Sequence, residues 1–155
     1  MELADILSEE SVLVCSGRKT KTEVLRKLAE RAAEATNHDV ETIFEALSDR
    51  EALGSTGLGN GIAIPHGKLV GLPGVAAVFM RLEEPIDFEA VDDQPVDLLM
   101  MLLAPVGAGA DHLKALARVA RLLRNEPTVD ALRRAQDASE IYAILTHPTA
   151  ATQAA

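Results

Sequence analysis

The sequence predicts a single α/β domain in which helices pack around a mixed sheet. Two nearly continuous apolar runs, residues 75–82 and 96–103, are bounded by proline and glycine, as expected of strands buried on both faces. Amphipathic segments with capping signals surround them. A length of 155 residues suits one well-packed core and is short for two. The connections include both helices and short links, so parallel and antiparallel pairs are expected together.

The elements follow in order. Val12 to Cys15 reads as a strand closed by Ser16-Gly17. Thr20 with Glu23 makes a capping box. Leu25, Leu28, Ala29 and Ala32 then recur at helical spacing, which predicts a helix of about fifteen residues. The polar break Thr36-Asn37-His38-Asp39 caps a second helix with the stripe Val40, Ile43, Phe44 and Leu47, ending near Gly54. Ile62-Ala63-Ile64 predicts a strand that leads into His66. Between the two apolar runs, residues 83–95 read as an acidic, proline-containing connection with a small strand over 86–88. A helix is expected over 111–123, opened by Asp111, with Leu113, Leu116, Ala117 and Ala120 on one side. Two short helices close the fold, one over 128–135 and one capped by Asp137 with Glu140 three residues on. Residues 1–146 are expected to form the domain and 147–155 a frayed tail.

Composition limits the function. Aromatic residues are 3% of the chain and tryptophan is absent, which disfavours a base-stacking platform. A formal charge of −9 repels phosphate backbones, so no nucleic-acid partner is expected, although a small cationic pocket is still compatible. The lone Cys15 excludes an internal disulfide framework and fits a reducing cytosol; within an apolar strand it reads as a packing residue. No export signal opens the chain, and the longest apolar segment falls far below the ~18–20 residues that span a bilayer. A cytoplasmic protein without membrane insertion is expected.

The chemistry concentrates in Gly54-Ser55-Thr56-Gly57-Leu58-Gly59-Asn60-Gly61-Ile62-Ala63-Ile64-Pro65-His66-Gly67-Lys68. Glycine lets another group approach the backbone, and histidine offers a neutral, nucleophilic nitrogen near neutral pH. This run is not a Walker A loop: Gly61 and Gly67 are separated by five residues, and Leu69 replaces the magnesium-binding hydroxyl. Nor is it a dinucleotide fingerprint, because Ile62 takes the third glycine's place and a strand follows instead of a helix. The run by itself fits a tightly turning loop. If strand alternation persists from Ile62, His66 projects with two core-facing isoleucines, either as a satisfied core histidine or as a pocket floor. The glycines and Lys68 beside it favour the pocket.

Two further residues bear on that site. Arg50 falls three positions after Leu47 and extends the second helix's stripe; its guanidinium either holds phosphate oxygens in a fork or snorkels outward toward the helix dipole. His112 opens a helix at the core edge, either as a neutral imidazole beside free backbone N–H groups or as a plain helix-start residue next to Asp111. His38 in the inter-helix break and His147 in the tail carry little functional weight. No metal is expected, since no HExxH motif or second cysteine accompanies the histidines. Ser55 lacks a nucleophile elbow, so a serine hydrolase has little basis.

At residues 50–69 the chain resembles the IIA components of the bacterial phosphoenolpyruvate-dependent phosphotransferase system, fructose/mannitol class, and within it the nitrogen-regulatory branch. The likeness continues through Pro85-Ile86-Asp87-Phe88, Asp93-Gln94-Pro95-Val96-Asp97-Leu98 and His112-Leu113. The resemblance implies a mixed, mostly five-stranded sheet flanked by helices. It implies that His66 is phosphorylated on its tele nitrogen, that His112 is a supporting imidazole across the pocket, and that Arg50 helps shape the site. The donor would be an HPr-like phosphocarrier, with no cofactor held by this chain. Glycine-loop amides, His112 and Arg50 would then compensate charge on the phosphoryl oxygens. Three readings of function remain distinct: a regulatory phosphocarrier acting on partner proteins, a sugar-specific IIA subunit passing phosphate to a IIB domain, and a non-phosphorylated interaction domain. Lys68 matches the motif without an assigned role.

Overall fold

The computed structural model describes residues 2–147. The tail expected over 147–155 lies, past His147, outside the described residues. Two 3-10 turns, Leu3–Asp5 and Glu9–Ser11, lead into β1 (Val12–Cys15). Then follow α1 (Lys21–Thr36), α2 (Val40–Ala52), β2 (Gly57–Gly59), β3 (Ile62–Ala63), β4 (His66–Leu69), β5 (Ala76–Ile86) and β6 (Val96–Pro105). α3 (Gly109–Arg124), α4 (Glu126–Arg134) and α5 (Ala138–Thr146) follow and are the last elements among the described residues.

β6 is central, with β5 antiparallel on one side and β3 and β4 parallel on the other. β1 pairs in parallel with β5 at one margin, and β2 pairs antiparallel with β3 at the other. β3 and β4 lie end to end along β6: Ile62 and Ala63 face Leu98 and Leu99, while His66 begins a second stretch opposite Leu102. The six strands therefore make a sheet five strands wide, the mixed architecture expected.

Alternation in β5 and β6 explains their nearly unbroken apolar character. Val78, Met80, Leu82, Leu99, Met101 and Leu103 pack under α1 and α2. Ala77, Phe79, Leu98, Met100 and Leu102 face the opposite way, toward α3, α4 and α5. Each fully buried leucine contributes about 1.5–3 kcal/mol, so this double-faced burial dominates the stability.

The helix starts follow from their caps. Thr20 accepts from the Glu23 amide at 3.1 Å and Glu23 accepts from the Thr20 amide at 2.9 Å. Asp39 and Asp137 accept from the Thr42 and Glu140 amides, each at 2.9 Å. Asn125 caps α4, which therefore begins before Thr128.

Three expectations need correction. The separate strand over 86–88 does not form; β5 itself runs on to Ile86, which pairs with Val96 past a register slip. Backbone pairing carries it there although Glu83 and Glu84 are exposed. α3 starts at Gly109, ahead of Asp111, and its buried face is His112, Ala115, Val119 and Leu123. Leu113 is 69% exposed, so the expected inner side is rotated. Arg81, inside an apolar run, is buried with a purpose: its guanidinium donates to the Leu132 and Ala135 carbonyls at 2.9 and 2.6 Å, satisfying the end of α4.

The glycine segment is an ordered hairpin. Asn60 and Gly61 have φ of 58° and 83°, the left-handed pair of a type I′ turn between β2 and β3. Arg133 grips this turn, donating to the Asn60 carbonyl at 2.7 Å and to Asp97 through two bonds of 3.0 and 2.8 Å. A Cβ at Gly61 would lie 2.5 Å from the Arg133 guanidinium and 2.9 Å from the Asp97 carboxylate. Gly61→Ala is expected to destabilise the fold by roughly 1–3 kcal/mol, read as a fall of several degrees in Tm. An unchanged Tm would show that the clamp yields freely.

Candidate functional site

His66 opens β4 just after Pro65, the joint between β3 and β4. Its sheet partner Leu102 belongs to the face covered by α3, as do Ile62 and Ile64, so the expected alternation holds. The ring is half-buried and lines a recess of about 260 Å³. Arg50 comes to that recess from α2, Thr56, Gly57 and Leu58 from the hairpin, and Leu116 and Ala120 from α3. The two helical layers thus meet there at the edge of the sheet.

The hydrogen bonding of His66 fixes its chemistry. Nδ1 lies 2.7 Å from the Ile64 carbonyl oxygen, which can only accept. Nδ1 therefore carries the proton, and the lone pair sits on Nε2, the tele nitrogen.

His112 stands across from it, with ring centroids 5.6 Å apart and planes at 70°. It is 6% exposed, and its Nε2 is buried without a hydrogen-bond partner. Burial, then the charges of His66 and Lys68, hold its pKa below the ordinary imidazole value. The unfolded chain binds that proton more readily, so this group contributes stability above about pH 6.5, lost as the pH falls toward the lower folded pKa. Urea unfolding of the wild type is expected to show stability rising with pH across that window, with a shallower slope in His112→Gln. Equal slopes would assign the proton uptake elsewhere.

Arg50 is half-buried, lines the recess and donates to the Gly54 carbonyl at 2.8 Å. That carbonyl lies two residues past the end of α2, so the bond fits the helix-dipole reading, while the side chain also lines the recess beside His66. Lys68 is exposed on the His66 side of β4. His38 is not brought to the site: its Nδ1 accepts from the Asp39 amide and its Nε2–H donates to the Val70 carbonyl, both at 3.0 Å. It ties the α1–α2 turn to the segment after β4. His147 ends α5, exposed.

The amides expected to cradle an anion are partly committed. Gly57 N–H donates to the Ser55 hydroxyl at 3.0 Å, and Thr56 N–H donates to Glu51 at 3.3 Å. Glu51 was not anticipated from the sequence. Its side chain is 5% exposed and paired with Lys21 at 3.0 Å. The available signal was spacing: Ile43, Leu47 and Glu51 recur every four residues, so Glu51 continues the buried stripe while Arg50 lies beside it.

Among the described residues no group of three histidine, cysteine or acidic side chains is placed to hold a metal ion. No helix among them is long and apolar enough to cross a membrane.

Comparison with known proteins converges on one family. Residues 5–147 match the model described as phosphoenolpyruvate-dependent sugar phosphotransferase system, EIIA 2. A nitrogen regulatory protein of Bradyrhizobium diazoefficiens is 49% identical over 150 residues, covering 97% of this chain and 98% of that protein. The crystal structure of nitrogen regulatory protein IIA-Ntr from Neisseria meningitidis superposes with a TM-score of 0.87 at 32% identity, over 93% of this chain and 99% of that one. A more distant relative is the fructose-specific EIIABC component of Bacillus subtilis, 32% identical over 94% of this chain and 23% of that longer protein.

Proposed function

Because this chain belongs to the EIIA 2 family of the phosphoenolpyruvate-dependent phosphotransferase system, we propose that His66 accepts a phosphoryl group from an HPr-like phosphocarrier. The observation that supports this most directly is the Nδ1–H bond to the Ile64 carbonyl, which leaves the Nε2 lone pair at an open recess. Nε2 attacks the donor phosphorus in line; the new P–N bond forms as the donor's P–N bond breaks. The donor imidazole leaves with that electron pair, and the Nδ1 proton stays on His66. One phosphoramidate replaces another, so the transfer is readily reversible.

The surrounding groups have complementary tasks. His112 is a buried imidazole whose ring centre lies 5.6 Å from that of His66, and its unpartnered Nε2 would meet a phosphoryl oxygen only once the transfer uncovers it. Arg50 stabilises equatorial charge while holding Gly54 in place. Phosphorylation adds about −1.5 to −2 charge to the recess, enough to change which proteins dock there.

Identity of 49% to a nitrogen regulatory protein along nearly the whole chain favours a regulatory output over service in sugar uptake. Partner proteins would distinguish the phosphorylated from the free form, and a cytoplasmic setting fits the free Cys15. The test is intact-mass analysis after incubation with phosphoenolpyruvate, the general enzyme of the system and the HPr-like carrier. One acid-labile phosphate mapping to His66 is expected. No label, with the carrier itself fully phosphorylated, returns the chain to a non-phosphorylated interaction domain. Onward transfer to a sugar IIB domain at the rate of a dedicated IIA protein would favour the uptake reading.

A further inference from the structure

A continuous set of hydrogen bonds runs from the end of α2 to the proposed acceptor ring. The Glu51 carboxylate takes both polar hydrogens of Thr56, through the backbone amide and the side-chain hydroxyl. The Thr56 carbonyl in turn accepts from the Ile64 amide at 3.0 Å. The carbonyl of that same Ile64 accepts from His66 Nδ1. Thr56 is 7% exposed, so these bonds are made where water competes poorly.

We propose that Glu51 is a positioning residue for His66: by fixing Thr56 it holds Ile64, whose carbonyl orients the ring and selects the tautomer with a free Nε2. This rests on the reading of His66 as the phosphoryl acceptor.

Burial of a carboxylate is costly unless it is paired and hydrogen-bonded, and Glu51 is both. Lys21 supplies the opposite charge at 3.0 Å and is itself anchored, donating to the Phe88 carbonyl at 3.2 Å and lying 4.3 Å from that ring's centre. Ser55 reaches the same carbonyl at 3.2 Å. The segment beside His66 is thus fastened to the starts and ends of several elements, not left as a free glycine loop. The fastening matters chemically because a neutral imidazole without a partner favours the proton on Nε2, the wrong nitrogen for attack. An acceptor held at Nδ1 reverses that preference. The carboxylate lies outside the residues that line the recess, so its influence passes through the backbone of Thr56 and Ile64.

The experiment reads the ring directly. Nitrogen-15 spectra of the histidine rings are recorded on the unphosphorylated full chain at pH 8 for wild type, Glu51→Ala, Thr56→Val, Glu51→Gln and Thr56→Ser. Wild type is expected to show His66 in one tautomer, protonated at Nδ1. Glu51→Ala and Thr56→Val are expected to give a mixture with substantial Nε2–H, and kcat for phosphoryl uptake about tenfold lower, while KM for the carrier stays within about twofold. Glu51→Gln and Thr56→Ser, which keep an acceptor and a hydroxyl, should recover most of both signals. The proposal is overturned if Thr56→Val and Glu51→Ala retain the wild-type tautomer and kcat. Should Glu51→Ala fail to fold, Glu51→Met, which keeps the side chain's length but no acceptor for either Thr56 hydrogen, takes its place. A shifted tautomer in a protein that never takes up phosphate, wild type included, would remove the phosphoryl reading and leave the positioning role standing.

Discussion

A His66→Ala variant is expected to take up no phosphoryl label under conditions that load the wild type completely. The expectation follows from the surroundings of the imidazole rings. His66 offers a half-exposed ring with its proton held on Nδ1 and its lone pair directed away from the Ile64 carbonyl. Its neighbour His112 is 6% exposed, too enclosed for a donor protein to bring phosphorus into line with it. His38 has both ring nitrogens occupied, one by the Asp39 amide and one by the Val70 carbonyl. The variant should nevertheless fold, because the β4 backbone pairing with β6 does not involve the side chain. Circular dichroism and Tm close to wild type, with no added mass of phosphate, form the expected pair of results. Full labelling of the variant would refute the assignment.

The second large effect concerns His112. Its replacement by alanine should slow phosphoryl uptake by roughly 10²–10³-fold, the usual consequence of removing one preorganised hydrogen-bonding group from a transition state. The stability cost should be small for so buried a residue. His112 Nε2 has no partner in the resting protein, so alanine removes an unsatisfied polar atom together with the ring's packing. His112→Gln, which restores a donor and an acceptor on a flexible chain, should recover part of the rate. Single-turnover transfer from a phosphorylated carrier measures this without interference from product release. A His112→Ala rate within about twofold of wild type would reduce the residue to core filling.

Where the sequence could be read, the reason was local. Thr20 with Glu23, Asp39 and Asp137 with Glu140 each announce a helix start through bonds spanning a few residues, and each is realised. The apolar runs in β5 and β6 were legible because both sheet faces are covered. His66 stood out because its neighbours on either side are unusual. What escaped depends on distant partners. Spacing puts Glu51 on the buried stripe of α2, but what makes a carboxylate tolerable there is Lys21, thirty positions earlier, closing over it. In α3 the charged residues Asp111, Lys114, Arg118 and Arg121 recur at helical spacing and mark the wet side, so its phase was legible, and the buried face opposite them includes His112. Asn60-Gly61 is the opposite case to Glu51: the pair is a strong local hairpin signal, and the hairpin it specifies stands where a tightly turning loop is expected.

Arg50 and Leu116 reach the recess from helices on opposite sides of the sheet, and the second of them belongs to a helix that begins only at Gly109. Until α3 has packed, the recess has the His66 ring but not the wall that faces it. The recess therefore needs side chains from both helical layers, and on the proposed reading a molecule that takes up phosphate has α2 and α3 packed on the two faces of the sheet.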